Sequence, residues 1–277
     1  MKRFLLVAVG ILAAWGTAQG ITVSYDTNAV SLANALTLGG GSGLIVTGVA
    51  LQGHSNGFQS STGTYVNPSL TYNISPGIVL SSGDVLDYSD GPNLFVNNST
   101  AWGVLETGPQ KALLDPITGV RQHWDVTQLD ITFNMAPGHD TVFFNVVFGS
   151  EEYPEYVGSQ FVDGFGLYVN GGNIAFVDGL PVNINHPAFA AIPGTELDGV
   201  LNHRIPQTFS KFVGDGSVGN TLTIIICDTT DDIYDSTAYV SQLGGTEPPP
   251  IIPEPLTMAG LCLGLGCLTR YLRRRVG

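Results

Sequence analysis

The run LDITFNM alternates cleanly. Leu129, Ile131, Phe133 and Met135 fall on one face, and Asp130, Thr132 and Asn134 on the other. That is the two-residue period of a strand with one buried side. Pro137 and Gly138 close it, and TVFFNVVF follows, nearly apolar throughout, as a strand covered on both faces would be. LIVTGVALQG, GIVLSSGDVLDY, TLTIIIC and STAYVSQL are further short runs broken by turn residues. LYVNGGNIAFV reads as a hairpin turning at Asn170, Gly171, Gly172 and Asn173. One segment has helical period instead. In NAVSLANAL, Ala29, Leu32, Ala33 and Leu36 stand at i, i+3, i+4 and i+7, with Asn28 as N-cap and GGGSG as terminator. The pattern predicts a mainly β protein: an antiparallel β-sandwich of jelly-roll type with one short N-terminal helix. No repeat is present, which argues against a propeller or a solenoid.

The two ends follow neither period. Lys2 and Arg3 precede an apolar run from Phe4 to Trp15, then Gly16, Thr17, Ala18 and Gly20. Charged, apolar, small is the order of a secretory signal peptide, expected over 1–20. The run of twelve residues is short of the roughly 20 that a spanning helix needs. At the other end, EPPPIIPEP is a stiff extended spacer. A second apolar run begins at Leu256 and extends to Leu272 if Arg270 snorkels to the interface. Arg273, Arg274 and Arg275 follow, and would stay cytoplasmic. This predicts a single C-terminal transmembrane helix with everything before Pro255 outside. The expected organisation is a signal peptide over 1–20, a β domain over 21–243, a Pro-rich linker over 244–252 and a C-terminal segment over 253–277.

Charge sharpens the picture. All 23 acidic residues lie between Asp26 and Glu254, and only Lys111, Arg121, Arg204 and Lys211 stand against them there, a net charge of −19. Phosphate would be repelled, so nucleic acid is excluded as a partner. Cations or a basic partner are favoured. Cys227 is alone in the exported part, so no disulfide framework holds it.

Two resemblances are carried by specific residues. Pro253, Glu254 and Pro255, one short apolar helix and the terminal arginines Arg273, Arg274 and Arg275 resemble the PEP-CTERM sorting signal. The resemblance implies an exosortase as partner, an inner-membrane intermediate, and delivery to the cell surface or extracellular matrix of a Gram-negative bacterium, often alongside exopolysaccharide. VVFGSEEYPEYVGSQFVDGFGLYV and ICDTTDDIYDSTAYV are similar to paired signatures of the choice-of-anchor L domain, and LANALTLGGGSGLIVTGVALQG agrees. That resemblance covers 21–243 and implies a surface-anchored extracellular domain. The chain departs from it at Val162, Asp163 and Gly164, where Asn-Asp-Val is commoner; Asp163 is kept.

Both signatures are acidic, and each acid group begins where an apolar strand ends, after Phe148 and after Cys227. If the strands are neighbours, the groups meet at one end of the sandwich and repel. At about 4 Å and an effective dielectric of 20, unit charges cost roughly 4 kcal/mol. Calcium, which takes 6–8 oxygens in loose geometry, is one remedy. Its candidate ligands are Glu151, Glu152, Asp163, Asp228 and Asp235. In an extended chain Glu151 and Glu152 point apart, so both reach one ion only if the chain bends there. Two other readings stay open: acids solvated or hydrogen-bonded in turns, and a catalytic carboxylate pair of the glycosidase kind. The five histidines have no zinc-site spacing. There is no nucleophile elbow or P-loop.

The function expected from these features is a non-enzymatic surface or matrix protein acting by adhesion. The alternatives are a secreted carbohydrate-active enzyme, or a carbohydrate-binding module using Trp102, Trp124 or Tyr88 as stacking platforms.

Overall fold

The computed structural model describes residues 20–38, 43–89, 93, 97–192 and 196–246. The expected signal peptide, the PEP tail and its helix lie outside them, apart from Gly20. Among the described residues no helix is long and apolar enough to cross a membrane.

The domain is mainly β, built from two antiparallel sheets. The larger orders its strands β1 (Thr22–Tyr25), β3 (Thr62–Val66), β4 (Gly77–Ser81), β15 (Ser236–Thr246) and β6 (Thr141–Ser150). Beyond β6 the edge divides. β13 (Gln207–Phe212) pairs with its first half, while β12 (Gly199–Leu201), followed by β11 (Phe189–Ala190), pairs with its end. The smaller sheet runs β2 (Leu44–Gln52), β5 (His123–Met135), β14 (Asn220–Thr229), β7 (Gly164–Val169) and β8 (Gly172–Asn173). A two-stranded ribbon, β9 (Phe176–Val177) with β10 (Leu180–Pro181), stands apart from both.

One core lies between the sheets. Leu129, Ile131, Phe133 and Met135 of β5 share it with Leu222, Ile224 and Ile226 of β14 and with Phe144, Val146 and Phe148 of β6. The alternation read in LDITFNM is thus a true inner face. Helix α1 (Ala29–Thr37) adds Leu32, Ala33 and Leu36 to the same core, and Asn28 caps it by accepting from Val30 and Ser31 N–H. The continuous apolar runs have a second cause. The outer face of the larger sheet is covered, with Val79, Val147 and Tyr239 packing against Tyr65, Tyr72, Val85 and Tyr88. The outer face of the smaller sheet is covered by α2 (Gly108–Thr118), whose Leu114 and Ile117 pack on Val126, Tyr168, Ile225 and Cys227. Strands buried on both faces have no polar side to show.

Two expectations need correcting here. The sequence reading had one helix, and α2 is a second. It starts in a reciprocal capping box between Thr107 and Gln110, which satisfies two orphan N–H groups at once. GIVLSSGDVLDY is a strand only to Ser81. A 3-10 turn over Val85–Tyr88 follows, which folds Tyr88 wholly inside.

Candidate functional site

Four strand ends carry the acids. In the larger sheet β6 ends at Ser150, directly before Glu151 and Glu152, and Ser150 pairs with Ser236, the residue after Asp235. In the smaller sheet Cys227 pairs with Gly164, so Asp228 follows one partner and Asp163 precedes the other. Asp163 joins the sheets. Its Oδ1 accepts from Thr229 N–H of β14 at 2.9 Å, and its Oδ2 accepts from the Ser236 hydroxyl of β15 at 3.0 Å. The two acidic signatures therefore meet at one end of the sandwich. All five candidate acids, Glu151, Glu152, Asp163, Asp228 and Asp235, are buried, so they are not solvated, while Glu151, Asp163 and Asp235 do accept from backbone N–H groups. Glu155 alone of the SEEYPEY acids is exposed.

The chain does bend after Ser150, yet Glu151 and Glu152 still face different neighbours. Burial pushes the Glu151 carboxyl up to about 8, helped first by the charge of Asp198 and opposed by Asn98 N–H. Burial pushes Glu152 up to about 9, with Asp163, Asp231 and Glu155 adding to it. Asp228 stands between these two sets: burial raises it far above the usual carboxylate range, and the charges of Asp163 and Asp235 raise it further. Asp235 is pushed up to about 7 by burial, tempered by Thr100 N–H. Asp163 is likewise raised by burial, less so for its Thr229 and Ser236 donors. None of the ion pairs among the described residues reaches any of the five; Lys111 is taken by Glu106 and Asp115.

Hydrogen bonding divides the acids further. Both oxygens of Asp235 accept from Thr100 N–H, at 3.1 and 3.0 Å, and Glu151 Oε2 accepts from Asn98 N–H at 3.2 Å. The loop 97–100 is laid over the acids by these bonds, while Asp235 N–H donates to Asn98 O. Gly83 approaches from the other side; a Cβ there would lie 1.6 Å from Asp235 Oδ2, so only glycine fits. By contrast, neither oxygen of Asp228 has a donor in hydrogen-bond geometry, although the Ser82 hydroxyl is near enough to draw its pKa down somewhat. Glu151 Oε1, Glu152 Oε2 and Asp231 Oδ1 are also buried without partners. As placed, no group of three or more His, Cys, Asp or Glu among the described residues is arranged to hold a metal ion.

The sequence reading missed Asp198, which feels burial and the charge of Glu155, and it left Asp231 out of the ligand set. Asp198 comes from a loop ahead of β12, and no spacing signal links it to SEEYPEY. Tyr88, offered as a stacking platform, is fully buried, and Tyr239 donates its hydroxyl to Tyr88 O. Trp102 is half-buried, with one face stacked on His54 at a centroid distance of 5.7 Å. Thr118, His123 and Glu106 align superficially like a triad, with Thr118 Oγ1 2.7 Å from His123 Nε2 and Glu106 3.9 Å from Nδ1. Thr118 and His123 are buried and Glu106 half-buried, and the Thr118 hydroxyl also contacts Leu114 O and Gly119 O, so the set ties α2 to β5. A groove of about 380 Å³ at Phe176, Asp178, His203, Arg204 and Gln207, and another of about 560 Å³ at Val49, Leu51, His54 and Thr62, are lined by none of the five acids.

A family model, the choice-of-anchor L domain, matches residues 22–198. The chain belongs to the choice-of-anchor L family. No curated protein and no solved structure matches it. Membership in choice-of-anchor L points to an exported protein anchored at the cell surface. The matched region holds Glu151, Glu152, Asp163 and Asp198. It stops ahead of β14 and β15, the central strands that deliver Asp228 and Asp235. The choice-of-anchor L match alone thus leaves each sheet without a central strand, and the acid group without its middle.

Proposed function

We propose that this choice-of-anchor L protein is a bacterial surface or matrix protein with a non-enzymatic, adhesive role. In this reading it is an exosortase substrate that passes through an inner-membrane intermediate, held there by 253–277. The observation that carries the reading is the family match, because this domain type is associated with surface anchoring. The terminal Pro253, Glu254 and Pro255 with Arg273, Arg274 and Arg275 supply the means of sorting. The burial of the acids supports the non-enzymatic part. A glycosidase pair must reach both faces of a scissile bond. Glu151, Asp163, Asp228 and Asp235 show no surface to a polymer.

The test is fractionation of cells expressing the full chain and a chain lacking 253–277. The full chain is expected at the surface or in the matrix, and the truncated chain free in the medium or periplasm. Surface retention of the truncated chain would sink the sorting claim. Release of reducing sugar from matrix polysaccharide by the full chain, lost in Glu152→Gln, would replace adhesion with catalysis.

A further inference from the structure

We propose that the acidic end of the sandwich is a site for a hard divalent cation of calcium's size, centred on Asp228 and completed by Asp163, Asp235, Glu152 and Glu151. The inference does not depend on how the chain is sorted.

The argument starts from what is left unpaired. Four strand ends from two sheets bring five buried carboxylates together, and the bond from Asp163 to Ser236 fixes the sheets at that point. A buried polar group without a partner is costly, and a buried unpaired charge far more so. Asp228 is completely buried, and both its oxygens lack a hydrogen-bond partner. The register that pairs Cys227 with Gly164 sets Asp228 opposite Asp163, whose carboxylate bridges to Ser236 of the other sheet, so Asp228 shares that inward face. Glu151 Oε1 and Glu152 Oε2 approach from the two sides, also unpartnered. The other charged or titratable groups felt by these acids are Asp87, Asp125, Glu155, Asp198 and Asp231, all acids, with Tyr88 and Cys227 coupled to them. No side chain among them can supply positive charge.

The chemistry of the donors selects the ion. Every candidate donor is a carboxylate oxygen, and hard oxygen sets suit calcium or magnesium. Zinc would look for nitrogen or sulfur, and Cys227, the nearest thiol, is turned to Gly164 O and Thr229 Oγ1. Magnesium demands near-ideal octahedral placement, whereas calcium accepts irregular sets of 6–8 oxygens. Donors from four separate strand ends are irregular by construction.

The carboxylates do not yet converge on one point. Occupancy therefore requires side-chain rotations. These are cheapest at Asp228, both of whose oxygens are free, and at Glu152 Oε2; Glu151 has to offer Oε1 while Oε2 stays on Asn98 N–H. Asp163 and Asp235 keep their N–H and hydroxyl donors, since a carboxylate oxygen has a second lone pair for the ion. The rival is neutralisation by protons alone.

The experiment uses the full chain, purified in detergent and stripped with EGTA. Terbium, a calcium mimic excited through nearby aromatic rings, is titrated first. Sensitised emission that calcium displaces is expected, with Tyr88 beside Asp235 and Glu151 as the antenna. Calcium at about 100 times its Kd is expected to raise Tm by about 5–10 °C, and EGTA to reverse the rise. In Asp228→Asn the affinity for terbium and for calcium should fall at least about tenfold, and the Tm rise at the same calcium concentration should drop to about half. In Asp178→Asn, on the far groove, both should persist. No displaceable emission and no calcium-dependent Tm in the wild-type chain would overturn the proposal in favour of protons. So would an unchanged response in Asp228→Asn. The terbium arm needs no variant to fold.

Discussion

Asp125 and Asp228 are close neighbours with opposite fates. They sit on adjacent strands of the smaller sheet, Asp228 pairing directly with Trp124, and both are completely buried. Asp125 takes a left-handed backbone, φ 52°, and turns its carboxylate into the loop 102–104. There it accepts from Trp102 N–H and Val104 N–H at 2.8 Å each and from Gly103 N–H at 3.4 Å. Burial still raises its pKa, but those three donors and His54 pull it back. Asp228 has the burial with no backbone donor and only the Ser82 hydroxyl nearby. Burial of an acid is thus not a sign of function by itself. What separates the two is whether the chain itself has filled the acceptors.

The sharpest way to break this comparison is Asp125→Ala. It strands three N–H groups and puts alanine at a positive φ that aspartate tolerates better. A loss of about 3 kcal/mol in urea unfolding is expected, since an unpaired group costs about 1–3 kcal/mol when fully buried and these three are partly buried. A loss below about 1 kcal/mol would mean that water fills the same role, and the contrast with Asp228 would weaken. Gly83→Ala comes next. Its Cβ would collide with the Asp235 carboxylate, and a cost of about 2–3 kcal/mol is expected. Because the collision displaces Asp235, the calcium rise in Tm should shrink in the same variant. A full rise would place Asp235 outside the site.

Asp228→Asn should have the opposite sign to Asp125→Ala when no metal is present. The amide keeps the shape, removes the cost of holding a proton on Asp228 in the fold, and can donate to Asp163 or Asp235. We expect the stripped protein to gain about 1–2 kcal/mol, on the scale of other buried charges relieved by neutral groups. Calorimetric unfolding in EGTA checks this. A destabilised variant would show that the Asp228 charge already has a partner within the chain.

Parts of this contrast were legible beforehand and parts were not. The α1 helix and its Asn28 cap, the inner face of β5 and the placing of both acid groups at strand ends follow from local period, which strands and helices obey over a few residues. Helix α2 was also readable from its Thr107 and Gln110 capping box, although Pro116 inside it runs against helix propensity. The closeness of Asp163 to Ser236 and Thr229 depends on pairings across more than sixty residues. No local pattern encodes those. The same holds for Asp198 and for the Thr100 N–H that covers Asp235. The burial of Tyr88 was missed because a 3-10 turn, not a strand, carries it. Local chemistry named the acids; only the register of β6, β7, β14 and β15 could say that they meet.

The pH dependence is the most diagnostic effect, because proton and cation change it in opposite ways. Glu151 is raised from 4.5 to about 8 and Glu152 from 4.5 to about 9 in the metal-free fold. An acid whose folded pKa exceeds its unfolded value binds more protons folded than unfolded, so stability must fall as pH rises through the folded pKa. His54 and His123 act in the other direction, since burial lowers both and their stability is lost as pH drops below about 6.5. Between pH 7 and 9 those histidines are neutral folded and unfolded, so the carboxyls dominate. In EGTA, stability should decline by about 1.4 kcal/mol per pH unit for each carboxyl still protonated in the fold, so by about 2–3 kcal/mol per unit near pH 7 and less towards pH 9. With saturating calcium the decline should flatten, because the ion keeps the carboxylates charged in the fold. A flat profile in EGTA would mean that these carboxylates are charged and already compensated, as Asp125 is by its loop. An equal slope with and without calcium would leave protons as the only partners of the acidic end.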